Sequence, residues 1–71
     1  MITQVSRITR IRQSRERWER HLRDLVGRAH AALDADELAE AEDLLARAQV
    51  TLAAINSWKT FEQAAIAAGQ G

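Results

Sequence analysis

The 71-residue sequence contains no cysteine, no proline and no tyrosine, and two of its three glycines lie within the last three residues. Without cysteine, the chain can form neither a disulfide nor a thiolate metal site. Without proline, and with Gly27 as the only glycine before residue 69, little in the chain interrupts a long helix. The sequence therefore predicts an all-α protein.

Long apolar runs are also lacking. No stretch approaches the roughly 18 apolar residues of a membrane span, and residues 1–12 lack the basic start and continuous apolar block of a secretory signal peptide. The net charge of zero argues against a surface coated in one sign of charge. We therefore expect a protein of the cytoplasm, or one held within a larger assembly.

The motifs of common catalytic sites are missing too. The sequence holds no glycine-rich phosphate loop, no nucleophile with a base at helical spacing, and no cluster of metal ligands. His21 and His30 are nine residues apart, about 13 Å along a helix, which is too far to share a metal ion. We therefore expect no enzymatic activity, no metal and no cofactor.

What the sequence does contain is apolar residues at alternating spacings of three and four. They form two series separated by a short break, which predicts two helices packed on one another as in a coiled coil. The first series is Ile8, Ile11, Trp18, Leu22, Leu25, Ala29 and Ala32, and the second is Leu38, Ala41, Leu45, Ala48, Leu52 and Ile55. Because a buried unpaired charge is costly, we expect aspartate at Leu22 or Leu45 to unfold the protein.

The first helix is predicted over about residues 4–33. Thr3 or Ser6 is suited to cap its N-terminus, because a hydroxyl oxygen can accept one of the free N–H groups of the first turn. Gly27 falls inside this helix, and the apolar spacing continues past it. We therefore interpret Gly27 as an exposed helical position.

The turn and the second helix are placed by a possible capping box. Asp34 and Glu37 have the spacing at which each side chain accepts the backbone N–H of the other residue, which puts the turn at about 33–35. The second helix is then expected over about 35–68, with Gly69 as its C-cap glycine. So short a connection makes the helices antiparallel, and the whole chain forms a single hairpin domain.

One part of the second helix is ambiguous. Beyond Ile55 the alternating spacing reaches the charged Lys59 and Glu62, while the nearby aromatic residues lie on a displaced stripe. A continuous helix is favoured because its length then matches that of the first helix. The alternative is a break near Asn56, followed by a short third helix at the C-terminus.

The apolar surface of the second helix is wider than one partner helix can cover. Leu44 stands beside Leu45, and Val50, Ala54 and Phe61 form a line away from the main stripe. Because two helices enclose no interior, we expect self-association into a four-helix bundle. The expected oligomer and partner interface comprises Ile8, Ile11, Trp18, Leu22, Leu25, Leu38, Leu44, Leu45, Val50, Leu52, Ile55, Trp58 and Phe61.

Charge is segregated along the chain. Residues 1–30 hold eight arginines against three acids, whereas residues 34–47 hold six acids against one arginine. The charged side chains that we expect to matter form an electrostatic strip, namely Arg7, Arg10, Arg17 and Arg28 on the first helix and Glu37, Glu40 and Asp43 on the second. Two antiparallel hairpins would place the acidic turn of one copy beside the basic open end of the other.

The expected turn also predicts which charges meet within one chain. In a hairpin turning at residue 34, residue i faces roughly residue 68 − i, so Arg28 should lie near Glu40. Most of the other arginines then find no acid within the hairpin. Arg15 occupies a seam position and is expected to lie opposite no acid.

These features predict a non-enzymatic structural or protein-interaction module, formed by an antiparallel homodimer that binds another protein. One alternative is a nucleic-acid-binding hairpin dimer whose arginines contact phosphates. Its expected architecture resembles that of plasmid-encoded RNA-binding helical-hairpin dimers, without a shared motif. The other alternative is a small hairpin chaperone or inhibitor, of the secretion-system or phage type, that wraps a helical partner.

Overall fold

The computed structural model describes residues 6–69 and shows a helical hairpin, as predicted. Helix α1 (Arg7–Asp34) begins after Ser6, whose backbone is extended and whose hydroxyl oxygen accepts a hydrogen bond from the Thr9 N–H at 3.1 Å. The other predicted N-cap, Thr3, lies outside the described residues. Since Ser6 is the cap, α1 begins at Arg7 and not at about residue 4.

The turn does not contain the predicted capping box. The Glu37 N–H donates to the Ala32 carbonyl at 2.8 Å, and the Asp36 N–H donates to a carbonyl three residues earlier at 3.0 Å. These two bonds form a Schellman motif, with Asp36 in the left-handed conformation at φ 62°. The N–H expected to bond Asp34 is therefore taken by α1, and the turn comprises residues 35–37 instead of 33–35.

Asp36 carries backbone strain that glycine would remove. The left-handed conformation costs an L-residue about 1–2 kcal/mol and costs glycine almost nothing. We expect Asp36→Gly to raise the free energy of unfolding by up to about 1 kcal/mol, and Asp36→Ala to lower it. Urea denaturation followed by circular dichroism measures both changes, and a less stable glycine variant would contradict the assigned conformation.

Helix α2 (Leu38–Ala67) is continuous for 30 residues. It passes Asn56 without a break, and the Thr60 hydroxyl donates to the Asn56 carbonyl at 3.1 Å inside the helix. Gly69 ends the helix at φ 74°, as expected of a C-cap glycine. No third helix is present within the range 6–69. The helix begins at residue 38, later than the predicted 35, because the turn is later.

The two helices pack along their length through one seam. Its most closely packed part lies near the turn, where four of the six buried side chains are alanines that let the helices approach closely. The cluster comprises Leu25, Ala29, Ala32, Ala41, Leu44 and Ala48. Ile11, Thr51, Ile55 and Ala65 continue the buried seam toward the open end.

The seam of α2 differs from the predicted one at three positions: Leu38 is 60% exposed and lies outside it, and the other two predictions are each wrong by one residue. Leu44 and Thr51 are 2% and 3% exposed, whereas Leu45 and Leu52, which were predicted to be buried, are 44% and 48% exposed. Thr51 tolerates burial because its hydroxyl donates to the Arg47 carbonyl at 2.8 Å. The burial on which the predicted unfolding by Leu45→Asp rests is therefore not observed, because that side chain lies outside the hairpin core.

With this correction, the seam of α2 shows no irregularity. Its inward positions are 41, 44, 48, 51, 55, 58, 62 and 65, an unbroken alternation of three and four residues. The matching positions of α1 are 8, 11, 15, 18, 22, 25, 29 and 32. Arg15 and Glu62 thus fall at seam positions, and the predicted displacement of the stripe beyond Ile55 is not observed.

Gly27 lies on the exposed surface of α1, as predicted, and a Cβ placed there would meet nothing within 4 Å. Because alanine is favoured over glycine within helices, we expect Gly27→Ala to stabilise the protein by about 1 kcal/mol. For a chain of this size, that corresponds to a rise in Tm of about 4–8 °C. Thermal melting followed by circular dichroism tests this, and an unchanged Tm would contradict it.

The hairpin is a single layer of helices. Its principal extents are 55 × 21 × 11 Å, so both broad faces of the pair are open. Soluble domains are normally built from at least two packed layers. Neither helix carries an apolar stretch of the length needed to cross a bilayer. The chemistry of the two broad faces therefore decides what the hairpin can bind.

Candidate interaction surfaces

A charged cluster joins the two helices near their open end. Glu62 accepts hydrogen bonds from Arg12 Nε at 2.6 Å and from Arg15 Nε at 3.2 Å, using a different carboxylate oxygen for each. Arg15 Nη1 also donates to Glu19 at 3.1 Å. The side chains of Arg15 and Glu62 are only 21% and 14% exposed. Arg15 therefore faces an acid across the seam, which corrects the prediction that it has none.

The register of the hairpin and the length of the arginine side chain together explain this difference. The predicted turn at residue 34 placed Arg15 opposite residue 53, whereas the observed turn at 35–37 places it opposite about residue 57, and its side chain reaches Glu62 about one helical turn further along α2. The same error affects Arg28, which was predicted to meet Glu40. Arg28 Nη1 lies 3.6 Å from Asp24 of its own helix.

The charged cluster changes the proton affinity of its members. The hydrogen bond from Arg12 is the largest influence on Glu62, and together with the charges of both arginines it outweighs burial and lowers the pKa of that carboxyl. Burial disfavours the charge of Arg15, but its contacts with Glu19 and Glu62 outweigh burial, so its pKa is raised. Both groups are thus held in their charged forms.

Stability should depend on pH through Glu62. A carboxyl whose pKa is lower in the folded chain than its ordinary 4.5 contributes stability that is complete above that value and is lost as pH falls through the folded pKa. We expect the stability difference between wild type and Glu62→Gln to be constant well above pH 4.5 and to shrink as the pH falls below that value. Glu16→Gln is the control, because Glu16 forms no ion pair within residues 6–69. A difference independent of pH would argue against the cluster.

One broad face of the hairpin carries a row of exposed aliphatic side chains, which we call the leucine face. On α2, Leu38, Leu45, Leu52 and Ile66 are 44–60% exposed and are spaced by multiples of seven residues, so they share one flank. On α1, Val26 and Leu33 are exposed and also seven residues apart. The leucine face comprises Val26, Leu33, Leu38, Leu45, Leu52 and Ile66.

The two flanks of the leucine face lie on the same side of the hairpin. Each seven-residue repeat of a helix contains two seam positions. In an antiparallel pair of helices, the residue directly after the second of these positions lies opposite the equivalent residue of the other helix. Lys59 and Ile66 have this position on α2, and a shallow cleft brings them together with Arg15 of α1. Glu19 has the corresponding position on α1, and Arg15 donates a hydrogen bond to it. Lys59 thus interrupts an otherwise apolar row on α2.

The opposite broad face has a different character near the open end. A groove of about 390 Å³ lies there between the helices and is lined by Arg7, Ile11, Trp58, Phe61, Ala64 and Ala65. The rings of Trp58 and Phe61 meet edge to face, with centroids 5.6 Å apart and planes at 82°. Phe61 is 54% exposed, so much of its surface remains available to a partner.

The electrostatic strip flanks this groove on α1. Arg7 lines the groove, while Arg17 lines a second cleft with Trp18 and His21, whose rings also meet at an edge. Arg7, Arg10 and Arg17 form no ion pair with the residues that the structure describes. We call the surface formed by Arg7, Arg10, Arg17, Trp58 and Phe61 the basic aromatic face.

The acidic half of the strip lies at the turn, away from these arginines. Asp43 pairs with Arg47 of its own helix at 3.0 Å, and Glu40 lies in the first turn of α2. Glu37 is the N-cap residue of α2, and its side chain makes no capping hydrogen bond. The hairpin therefore does not bring the basic and acidic halves of the strip together.

The predicted interface residues divide into two groups. The seam uses Ile8, Ile11, Leu22, Leu25, Leu44, Ile55 and Trp58 as buried or half-buried side chains, while Trp18, Leu38, Leu45, Val50, Leu52 and Phe61 are exposed. Sequence reasoning missed three members of the leucine face, Val26, Leu33 and Ile66. The seven-residue spacing of apolar positions next to the seam would have identified them.

Among protein-family models, curated proteins and solved structures, none matches this sequence. Within the part of the chain that the structure describes, no three histidine or acidic side chains converge as a metal site. The two broad faces and the charged cluster are therefore the features from which a function can be argued.

Proposed function

We propose that the protein is a non-enzymatic structural or protein-interaction module that self-associates through its leucine face. The observation that carries this proposal is the row of exposed aliphatic side chains along one side of a single-layer hairpin. Contiguous apolar patches of this kind mark interaction sites in soluble proteins. A second copy would bury the row and complete a four-helix bundle with a closed core.

The size of the hairpin supports this arrangement. Its broad face measures 55 by 21 Å, which offers on the order of 1,000 Å² to a partner. A standard stable interface uses roughly 800 Å² per partner. One face of the hairpin is thus large enough for a stable dimer.

The distribution of charge and apolar residues favours an antiparallel dimer. The ends of the leucine row of α2 are matched about Leu52, because Leu38 and Ile66 each lie 14 residues from it, while Leu45 on one side corresponds to Lys59 on the other. Two copies related by a twofold axis at Leu52 would place Leu38 of each against the partner's Ile66. The same arrangement puts the acidic turn of each copy beside the arginine-rich open end of the other, whereas a parallel dimer would place the two acidic turns together.

The proposal is tested by the mass of the protein in solution. Light scattering after size-exclusion chromatography should give a dimer for the wild type and a monomer for Leu45→Glu/Leu52→Glu, because the double variant buries charges in the interface. Val50→Glu is the control, since Val50 is exposed but lies outside the leucine face. A wild-type monomer at all concentrations and salt levels would refute self-association.

Nucleic-acid binding is the second candidate, and the arginines without ion-pair partners favour it. Phosphate contact would make affinity fall steeply with salt concentration. We expect Arg10→Glu to leave helicity unchanged, because Arg10 is exposed and forms no ion pair within the described range. If the strip binds a ligand, the same change should weaken that binding. Equal RNA or DNA binding by wild type and variant, measured by fluorescence anisotropy, would exclude a role for the strip.

A further inference from the structure

We infer that the basic aromatic face is a docking site for an acidic amphipathic helix of another protein. In this arrangement the apolar side chains of the partner helix enter the groove at the open end, and its carboxylates contact the arginines of α1. The inference rests on the proposed role as an interaction module, but it does not depend on self-association. The leucine face lies on the other broad side, so the groove stays open in the proposed dimer.

The shape and lining of the groove suit a helix. The buried aliphatic side chains of Ile11 and Ala65 form its floor, and Ala64, Trp58 and Phe61 complete the apolar lining. A groove between two helices accepts the apolar stripe of a third helix, whose anchors recur every three or four residues. Phe61 is well placed as an anchor contact, because aromatic side chains at interfaces carry much of the binding energy.

The charges beside the groove specify an acidic partner. The flank of α1 beside the groove is formed by positions 7, 10, 14, 17 and 21, which hold three arginines and no acid, and the next position of this row is Asp24. Arg7, at the rim of the groove, has no ion-pair partner among the residues described. Guanidinium groups bind carboxylates with two parallel hydrogen bonds, so a helix with acids flanking its apolar stripe would match both features.

A nucleic acid fits the same groove less well. Bases bind by stacking on the exposed faces of aromatic rings, but Trp58 is half-buried and its ring plane lies at 82° to that of Phe61, so Phe61 is the one ring of the groove open to a base. The aliphatic floor offers no ring on which a base could stack. Leucine or valine side chains fill such a floor with ordinary van der Waals contacts.

The test uses two synthetic helical peptides with the same leucine spacing of three and four, one with glutamate and the other with lysine at the remaining positions. Isothermal titration calorimetry should show binding of the acidic peptide only. Phe61→Ala should weaken that binding at least tenfold. Arg7→Glu/Arg10→Glu should abolish it. Leu45→Ala, on the leucine face, should leave it unchanged.

Several outcomes would overturn the inference. Equal binding of both peptides would indicate apolar contact without charge recognition, and a lack of binding would reject the groove as a helix site. Binding of single-stranded RNA with release of the acidic peptide would assign the face to nucleic acid. A wild-type monomer that binds the acidic peptide would refute self-association while supporting this site, so the two proposals fail separately.

Discussion

Leu44→Asp is expected to unfold the hairpin, whereas the same substitution at the next residue, Leu45, leaves both helices formed. The Leu44 side chain is 2% exposed in the core cluster, so aspartate there would be buried without a partner. Such changes cost more than about 4 kcal/mol, and chains of this size have only roughly 4–10 kcal/mol of stability. Leu45 is 44% exposed, so a charge at that position remains in water.

Circular dichroism at 25 °C separates the two variants. We expect Leu44→Asp to lose most of its helical signal and Leu45→Asp to retain it. Because Leu45 belongs to the leucine face, the stability of Leu45→Asp should also depend less on protein concentration than that of the wild type. If Leu45→Asp unfolded and Leu44→Asp did not, the seam would have the register predicted from the sequence.

Leu25→Ala should cause a large loss of stability, second to that of Leu44→Asp. Leu25 is 1% exposed and lies in the cluster that joins the helices near the turn. Removing buried methyl groups costs the transfer free energy and leaves a cavity, which together amount to about 2–5 kcal/mol. Since the hairpin has only one layer, the two helices can move closer to each other and partly fill the cavity. We therefore expect a value in the lower half of that range.

Val26→Ala is the matched control for this truncation. Val26 follows Leu25 directly but lies on the leucine face, so the hairpin itself should lose less than about 1 kcal/mol. Urea denaturation at low protein concentration, where a dimer would dissociate, measures both variants. Equal losses would contradict the burial of Leu25 in the hairpin seam.

The fold class and the number of helices could be predicted because they follow from repeated signals. Spacings of three and four recur over both halves of the chain, and no proline interrupts them. Sequence reasoning placed Leu52 in the seam instead of Thr51, because hydrophobicity alone favours leucine for the core. Burial of Thr51 depends on a hydrogen bond to the backbone of its own helix, which composition does not reveal.

The position of the turn depends on which of two capping motifs forms, one at the start of α2 or one at the end of α1. Asp34 and Glu37 had the spacing of a capping box, but α1 ends in a Schellman motif whose left-handed residue is Asp36. Glycine usually marks that position, and its absence hid the signal. Because every pairing across the seam is counted from the turn, this error shifted the expected partner of Arg15 by about four residues, and the further reach of the arginine side chain to Glu62 is not visible in the spacing.

The candidate surfaces were only partly predictable for a related reason. The arginine strip is visible in the sequence as charges on one flank of a helix. The groove beside it requires knowing which side of α2 faces that flank, and this depends on the register. The structure brings Arg7 next to Phe61 across the seam, a relation that spacing within one helix cannot give.

Different interactions hold the two ends of the hairpin together, so the helices are expected to separate from one end first. The alanine-rich cluster joins the helices beside the turn, and its contribution should depend little on acid or salt. The open end adds to its buried apolar side chains one carboxylate shared by two guanidinium groups. Acid should therefore separate the helices first at the open end. Amide hydrogen exchange at low pH should then be faster at the open end than beside the turn.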